Sequence, residues 1–116
     1  MTKENVTKIR ELNDRYRKGD QNVPGKTLLT SGVQALVDDG VGLKLTELMQ
    51  FIHGFDDFDQ NNDPHGEHDF GSLEFENDTV FWKLDYYAPD LEHGSEDPSD
   101  TEQTIRVLTI MLASEY

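Results

Sequence analysis

The densest chemistry in the chain lies between Asp56 and Gly71, where sixteen residues hold five aspartates, one glutamate and two histidines. Carboxylates and imidazoles at that density can bind a cation, transfer protons or present charge to a partner. His65 and His68 stand three apart, and Asp63, Glu67 and Asp69 could complete a nitrogen–oxygen set suited to zinc, manganese or iron. The metal reading therefore rests on His65, His68, Asp63 and Asp69 around a divalent ion, in a hydrolase-like enzyme. Against it, His-Gly-Glu-His is one residue short of the helical zinc-hydrolase motif, and Pro64 and Gly66 argue for a loop. Asp57, Asp59, Asn61 and Asp63 also imitate positions one, three, five and seven of a calcium loop. Asn62 replaces the turn glycine, however, and His68 replaces the bidentate glutamate. The plain alternative is a loop whose Asp and Asn side chains cap their own turns.

Proton transfer without a metal could draw on His65, His68, Asp69 and Asp85, with His68 brought near Tyr87 by a hairpin. No serine or cysteine stands in a nucleophile's setting, and the glycines form no phosphate-binding pattern. The remaining use of the carboxylates is display. Asp56, Asp57, Asp59, Asp63, Glu67 and Asp69, with Glu92, Glu96 and Asp97 from a second acidic stretch, make up the candidate partner-binding set, and Asp100 extends it. Such an array can imitate phosphate and occupy a basic nucleic-acid channel on another protein.

Charge favours display. The formal charge is −14, distributed as +3 over residues 1–26 and −17 over residues 27–116. That field repels nucleic acid and acidic membrane, and attracts basic surfaces. There is no cysteine, no apolar run long enough to span a bilayer and no apolar segment near Met1, so a soluble cytoplasmic protein is expected. The leading expectation is an acidic interaction module that binds a basic protein surface and needs no cofactor. Inhibition of a nucleic-acid-handling or defence complex is the specific form considered. The metal-dependent enzyme is the alternative.

The elements that must position these residues fit one domain of 116 residues. Residues 3–18 read as a basic helix with Ile9, Leu12 and Tyr16 on one stripe, acid-first pairs (Glu4/Lys8, Glu11/Arg15, Asp14/Lys18) and Gly19 as its stop. This helix, within residues 1–20, could be peripheral to the body. Lys26–Gly32 reads as a short strand, and Val33–Asp39 is ambiguous. A core helix then follows from Leu43 through Leu45, Leu48, Met49 and Ile52 to Gly54, expected in the left-handed position. His68–Glu76 and Thr79–Tyr87 read as a hairpin around Asn77-Asp78, with Phe75 opposite Val80 and Leu73 opposite Trp82. Ser99–Glu102 has capping-box spacing and predicts a helix over 100–113, while a buried strand over 106–112 competes with it.

Three blocks carry a resemblance: Asn62–Gly71 (NDPHGEHDFG), Phe81–Tyr87 (FWKLDYY) and Leu108–Tyr116 (LTIMLASEY). Over about residues 9–116 the chain resembles a family of short bacterial proteins known only as a domain of unknown function and familiar from proteobacterial chromosomes and plasmids. The resemblance implies no activity, cofactor or catalytic residue. Occurrence on mobile elements would favour a role against host defence over housekeeping catalysis. The fold expected from all of this is α+β: a small, mainly antiparallel sheet containing the 68–87 hairpin, packed on one face by two to three helices.

Overall fold

A computed structural model describes residues 3–116. The elements in chain order are α1 (Lys3–Arg17), β1 (Gly25–Leu29), α2 (Ser31–Val37), α3 (Leu43–His53), β2 (Phe70–Phe75), β3 (Asp78–Tyr87), β4 (Ile105–Leu112) and a closing 3-10 turn (Ala113–Glu115). They form an α+β fold around one four-stranded sheet of order β1-β4-β3-β2. Two of its strand pairs are antiparallel, and β1 runs parallel to β4 at one edge.

All three helices lie on one face. Val33 and Val37 of α2 and Leu48 and Ile52 of α3 pack on Phe75, Val80, Trp82, Leu84, Leu108 and Ile110 from the strands. These strand residues follow the period of two that a sheet imposes. α1 joins the same face through Asn13 and Arg106, and buries Ile9, Leu12, Asn13 and Arg17. In two of its acid-first pairs a member takes another partner: Arg15 bonds Asp20 at 2.8 Å, and Asp14 serves Arg17 and His68.

Residues 105–112 are a strand, which overturns the helix expected over 100–113 and agrees with the competing strand over 106–112. Leu108 and Ile110 face the helices, while Val107 and Met111 are buried on the other side. Apolar on both faces, this run has neither the alternation of a half-exposed strand nor a clean helical stripe. The residues with capping-box spacing make turns instead. Ser99 donates its N–H and Oγ–H to Asp97, and Asp100 accepts from Glu102 N and Gln103 Nε2.

The hairpin turns at Glu76 (φ 52°) and Asn77 (φ 66°), one residue earlier than Asn77-Asp78. Trp82 consequently lies opposite Gly71, and Val80 opposite Leu73. Because the offset from the expected pairing is two residues, every side chain stays on its expected face. Gly71 is needed there: a Cβ at this position would overlap the Trp82 indole. Phe70 lies on the opposite face, its ring 5.1 Å from that of Phe81.

β1 ends at Leu29 and does not reach Gly32, because Thr30 caps α2 by accepting from Val33 N (3.4 Å). Gly54 closes α3 with φ −91°, outside the left-handed region expected for it. No described helix is long and apolar enough to cross a membrane.

Candidate functional site

The loop 54–69 enters the sheet at β2, and the loop 88–104 joins β3 to β4. Phe70 pairs with Lys83 and Tyr87 with Ile105, so both acidic loops leave the sheet at the same end. α1 lies against them there. Arg10 Nη1 donates to Gly66 O (3.2 Å), and Asn13 Nδ2 donates to Glu67 O (2.9 Å).

A buried polar network ties these pieces together. Asn13 Nδ2 also donates to Tyr86 Oη (2.8 Å), and Tyr86 donates to Glu67 Oε1 (2.6 Å). Arg106 on β4 donates Nε to Asn13 Oδ1 (2.6 Å) and Nη2 to Pro98 O (2.6 Å). Burial, followed by the bond to Glu67, pushes the Tyr86 phenol far above its ordinary range. Burial lowers Arg106. One turn further along the same buried stripe of α1, Arg17 donates Nε to Ile52 O (3.2 Å) and Nη2 to Phe55 O (2.9 Å), and its guanidinium covers Phe58 and Trp82.

His68 occupies the centre of the loop's anchorage. Its Nδ1 lies 2.8 Å from Asp14 Oδ1, and its ring stacks on Phe58 at 3.8 Å. Its Nε2 is 3.6 Å from Asp63 Oδ2, and its backbone N–H donates to Asp63 Oδ1 (3.1 Å). The φ of 55° at His68 is uncommon for a side chain that is not glycine, and Asp63 and Phe58 hold it there. His68 therefore turns to α1 and not to Tyr87, and the sheet tyrosine that meets this loop is Tyr86.

The four residues of the metal reading do not converge. Among the described residues, the one group of three or more His, Asp or Glu side chains whose ligand atoms all lie within 4.8 Å is Asp90, Glu92 and His93. His65 is exposed, while His68 is engaged with both Asp14 and Asp63. The calcium-like spacing resolves into turn capping. Asp59 accepts from Asn61 N and Asn62 N, and Asn62 Nδ2 donates to Asp57 O. Burial, then the charges of Glu67 and Asp63, raise the Asp69 carboxyl.

The candidate partner-binding residues divide in two. Asp63 is buried, Glu67 holds Tyr86, Asp69 is half-buried, and Asp97 accepts from Ser99. Asp56, Asp57, Asp59, Glu92 and Glu96 are exposed. Asp90, which the sequence reading omits, stands beside them. Two backbone N–H groups and His93 hold its carboxyl down at about 2, so it stays charged. Asn13, Arg17, Tyr86 and Arg106 also go unnoticed in the sequence, because their partners are remote along the chain.

A family described as "Protein of unknown function (DUF3768)" has a model that matches residues 29–115. No curated protein and no solved structure matches the chain. The match includes both acidic loops and leaves α1, which completes the network, outside it.

Proposed function

We propose that this chain, which belongs to the family of proteins of unknown function DUF3768, is an acidic protein-interaction module that binds a basic partner. Its contact surface is formed by the exposed carboxylates of the two loops at one end of the sheet. Asp56, Asp57 and Asp59 supply one side, and Asp90, Glu92 and Glu96 supply the other. The observation that carries this reading is the division of labour among the acids. Those next to α1 are buried or half-buried against the body, whereas these six are exposed on the two loops, where Asp59 and Asp90 also accept the N–H groups of their own turns.

Exposed carboxylates gathered this way act at long range on a basic surface and accelerate encounter more than they tighten the final complex. A partner that normally grips nucleic acid presents such a surface, and the module would occupy it as a phosphate mimic. Inhibition of a nucleic-acid-handling or defence complex is the form of activity this chemistry favours.

The test is capture on the immobilised full chain, compared with a variant carrying D56N, D57N, D59N, E92Q and E96Q. The proposal expects basic proteins to be retained by the wild type, released by rising salt and by added duplex DNA, and absent from the variant. Retention that ignores both salt and the five substitutions would end it.

A further inference from the structure

We propose that the open edge of β1 receives an extended segment of the basic partner as a fifth strand, whose side chains enter a cavity on each face of the sheet. The inference rests on the acidic-module reading and adds how the partner is held. β1 pairs with β4 on one side, and no described strand pairs with it on the other. Pro24 O and Thr30 N–H both bond to β4. By the alternation of a strand, the backbone groups of Lys26 and Leu28 therefore point to β4, and those of Gly25, Thr27 and Leu29 point outward. Gln34 Nε2 donates to Leu29 O (2.9 Å). Among the described residues nothing bonds the N–H and C=O groups of Gly25 and Thr27, and both residues are exposed. Such a row of outward groups is a template for strand addition.

An added strand runs about 4.8 Å from β1 and sends successive side chains to opposite faces. Each face offers a cavity beside β1. On the helix side, Tyr16, Asp20, Thr27, Met49, His53 and Leu108 line about 210 Å³. On the other side, Lys26, Leu28, Tyr87, Leu91 and Val107 line about 180 Å³. β1 supplies a wall to both, since Thr27 pairs with Leu108 and Lys26 with Val107. The second cavity is also walled by the acidic loop 88–104, through Leu91. That leucine sits at φ 60°, a conformation uncommon for any residue but glycine, and is 41% exposed. An apolar side chain on the incoming strand covers it.

Charge selects a basic occupant. Asp20 lines the first cavity, and exposed Asp90 and Glu92 are the chain neighbours of Leu91 in the second. Of the cations in the walls, Arg17 is buried and bonded to Asp14, whereas Lys26 is exposed and keeps its ammonium free to turn into solvent. A segment with apolar residues over Leu28 and Leu91, and lysine or arginine beside them, meets both the apolar walls and the acids. A second copy of this chain would instead set a formal charge of −14 against −14.

Fluorescence anisotropy on the full chain tests the proposal, with synthetic peptides of about eight residues that alternate Val or Leu with Lys or Arg. Binding is expected, and should weaken about tenfold or more when glutamine replaces the basic residues. N-methylation of the odd-numbered or of the even-numbered residues should abolish binding in one case and spare it in the other, because one edge of the added strand meets β1. The amides of Gly25 and Thr27 should gain protection from hydrogen exchange in the complex. T27P removes an outward N–H and keeps the bonds to β4, so it should fold and bind the peptides about tenfold or more weakly. Should T27P unfold, the methylated peptides decide alone. Absence of binding by every peptide, no protection at Gly25 and Thr27, or tolerance of both methylation patterns would overturn the proposal. The chain carrying D56N, D57N, D59N, E92Q and E96Q separates this failure from that of the acidic-module reading: binding that folded T27P keeps and this chain loses overturns strand addition alone. Self-association of the wild type that T27P abolishes would assign the edge to a second copy and overturn it too.

Discussion

His68 Nδ1 lies 2.8 Å from Asp14 Oδ1 although fifty-four residues separate them in sequence. This contact fastens the acidic loop 54–69 to α1, and the stacking of His68 on Phe58 fixes the ring that makes it. The loop's imidazoles therefore differ in role: one is a structural fastener and the other is exposed. H68N, which tolerates the positive φ, should lower stability in urea by about 1–2 kcal/mol, and H65A by less than about 0.5 kcal/mol. The same geometry predicts that no Zn²⁺, Mn²⁺ or Ca²⁺ effect on Tm depends on His65. A metal-induced rise in Tm that H65A abolishes would restore the metal reading.

Asn13 joins α1 to both acidic loops, through Glu67 and through Arg106, and is fully buried. N13A leaves the Arg106 Nε and the Glu67 carbonyl without their partner, which costs about 2–4 kcal/mol when the orphaned group is charged. Denaturant unfolding should show this loss, with R10A costing far less because Arg10 makes one partly exposed bond. Equal and small effects from both would mean that α1 is not integral to the body.

Gly71 faces the indole of Trp82, which is fully buried. G71A must displace that ring or the strand, and overpacking of this kind costs about 1–3 kcal/mol. The near-ultraviolet dichroism of Trp82 should change along with the loss of stability. An unchanged spectrum and unchanged stability would contradict the register.

Glu115 caps the start of α2 and the end of β4. Bonds from Thr30 Oγ1 first, then Leu112 N and Gly32 N, hold its carboxyl below 4.5. A depressed folded value means its contribution is present above pH 4.5 and is lost as pH falls through that folded value. The gap in Tm between wild type and E115Q should therefore be widest above pH 4.5 and close on acidification. Asp69 has the opposite sign. Raised above 3.8, it favours the folded state below that pH, and the benefit is lost as pH rises through its folded value. D69N should therefore gain most over wild type near neutral pH.

The sequence reveals the two helical faces, the aromatic hairpin and the acidic loops, because each has a local period or composition. β4 is legible only as the competing strand over 106–112, behind the helix over 100–113: burial on both faces erases the alternation, and Ser99–Glu102 imitates a helix start. The hairpin register slipped because Glu76 and Asn77, and not the more turn-prone Asn77-Asp78, take the positive φ. Composition found the acids but could not sort them. Whether Asp63 or Glu67 faces solvent depends on His68, Tyr86 and α1, whose approach no local pattern records. The same holds for the buried Arg106, which in sequence is one basic residue at the head of an apolar run.

The most direct measurement of the central claim is the association rate of a captured basic partner with the full chain, followed by surface plasmon resonance at several salt concentrations. The account predicts a rate that falls steeply with salt. It also predicts that neutralising Asp56, Asp57, Asp59, Glu92 and Glu96 together lowers the rate about tenfold or more at low salt while folding is unchanged. Equal rates for the wild type and the neutralised chain, with no salt dependence in either, would contradict it.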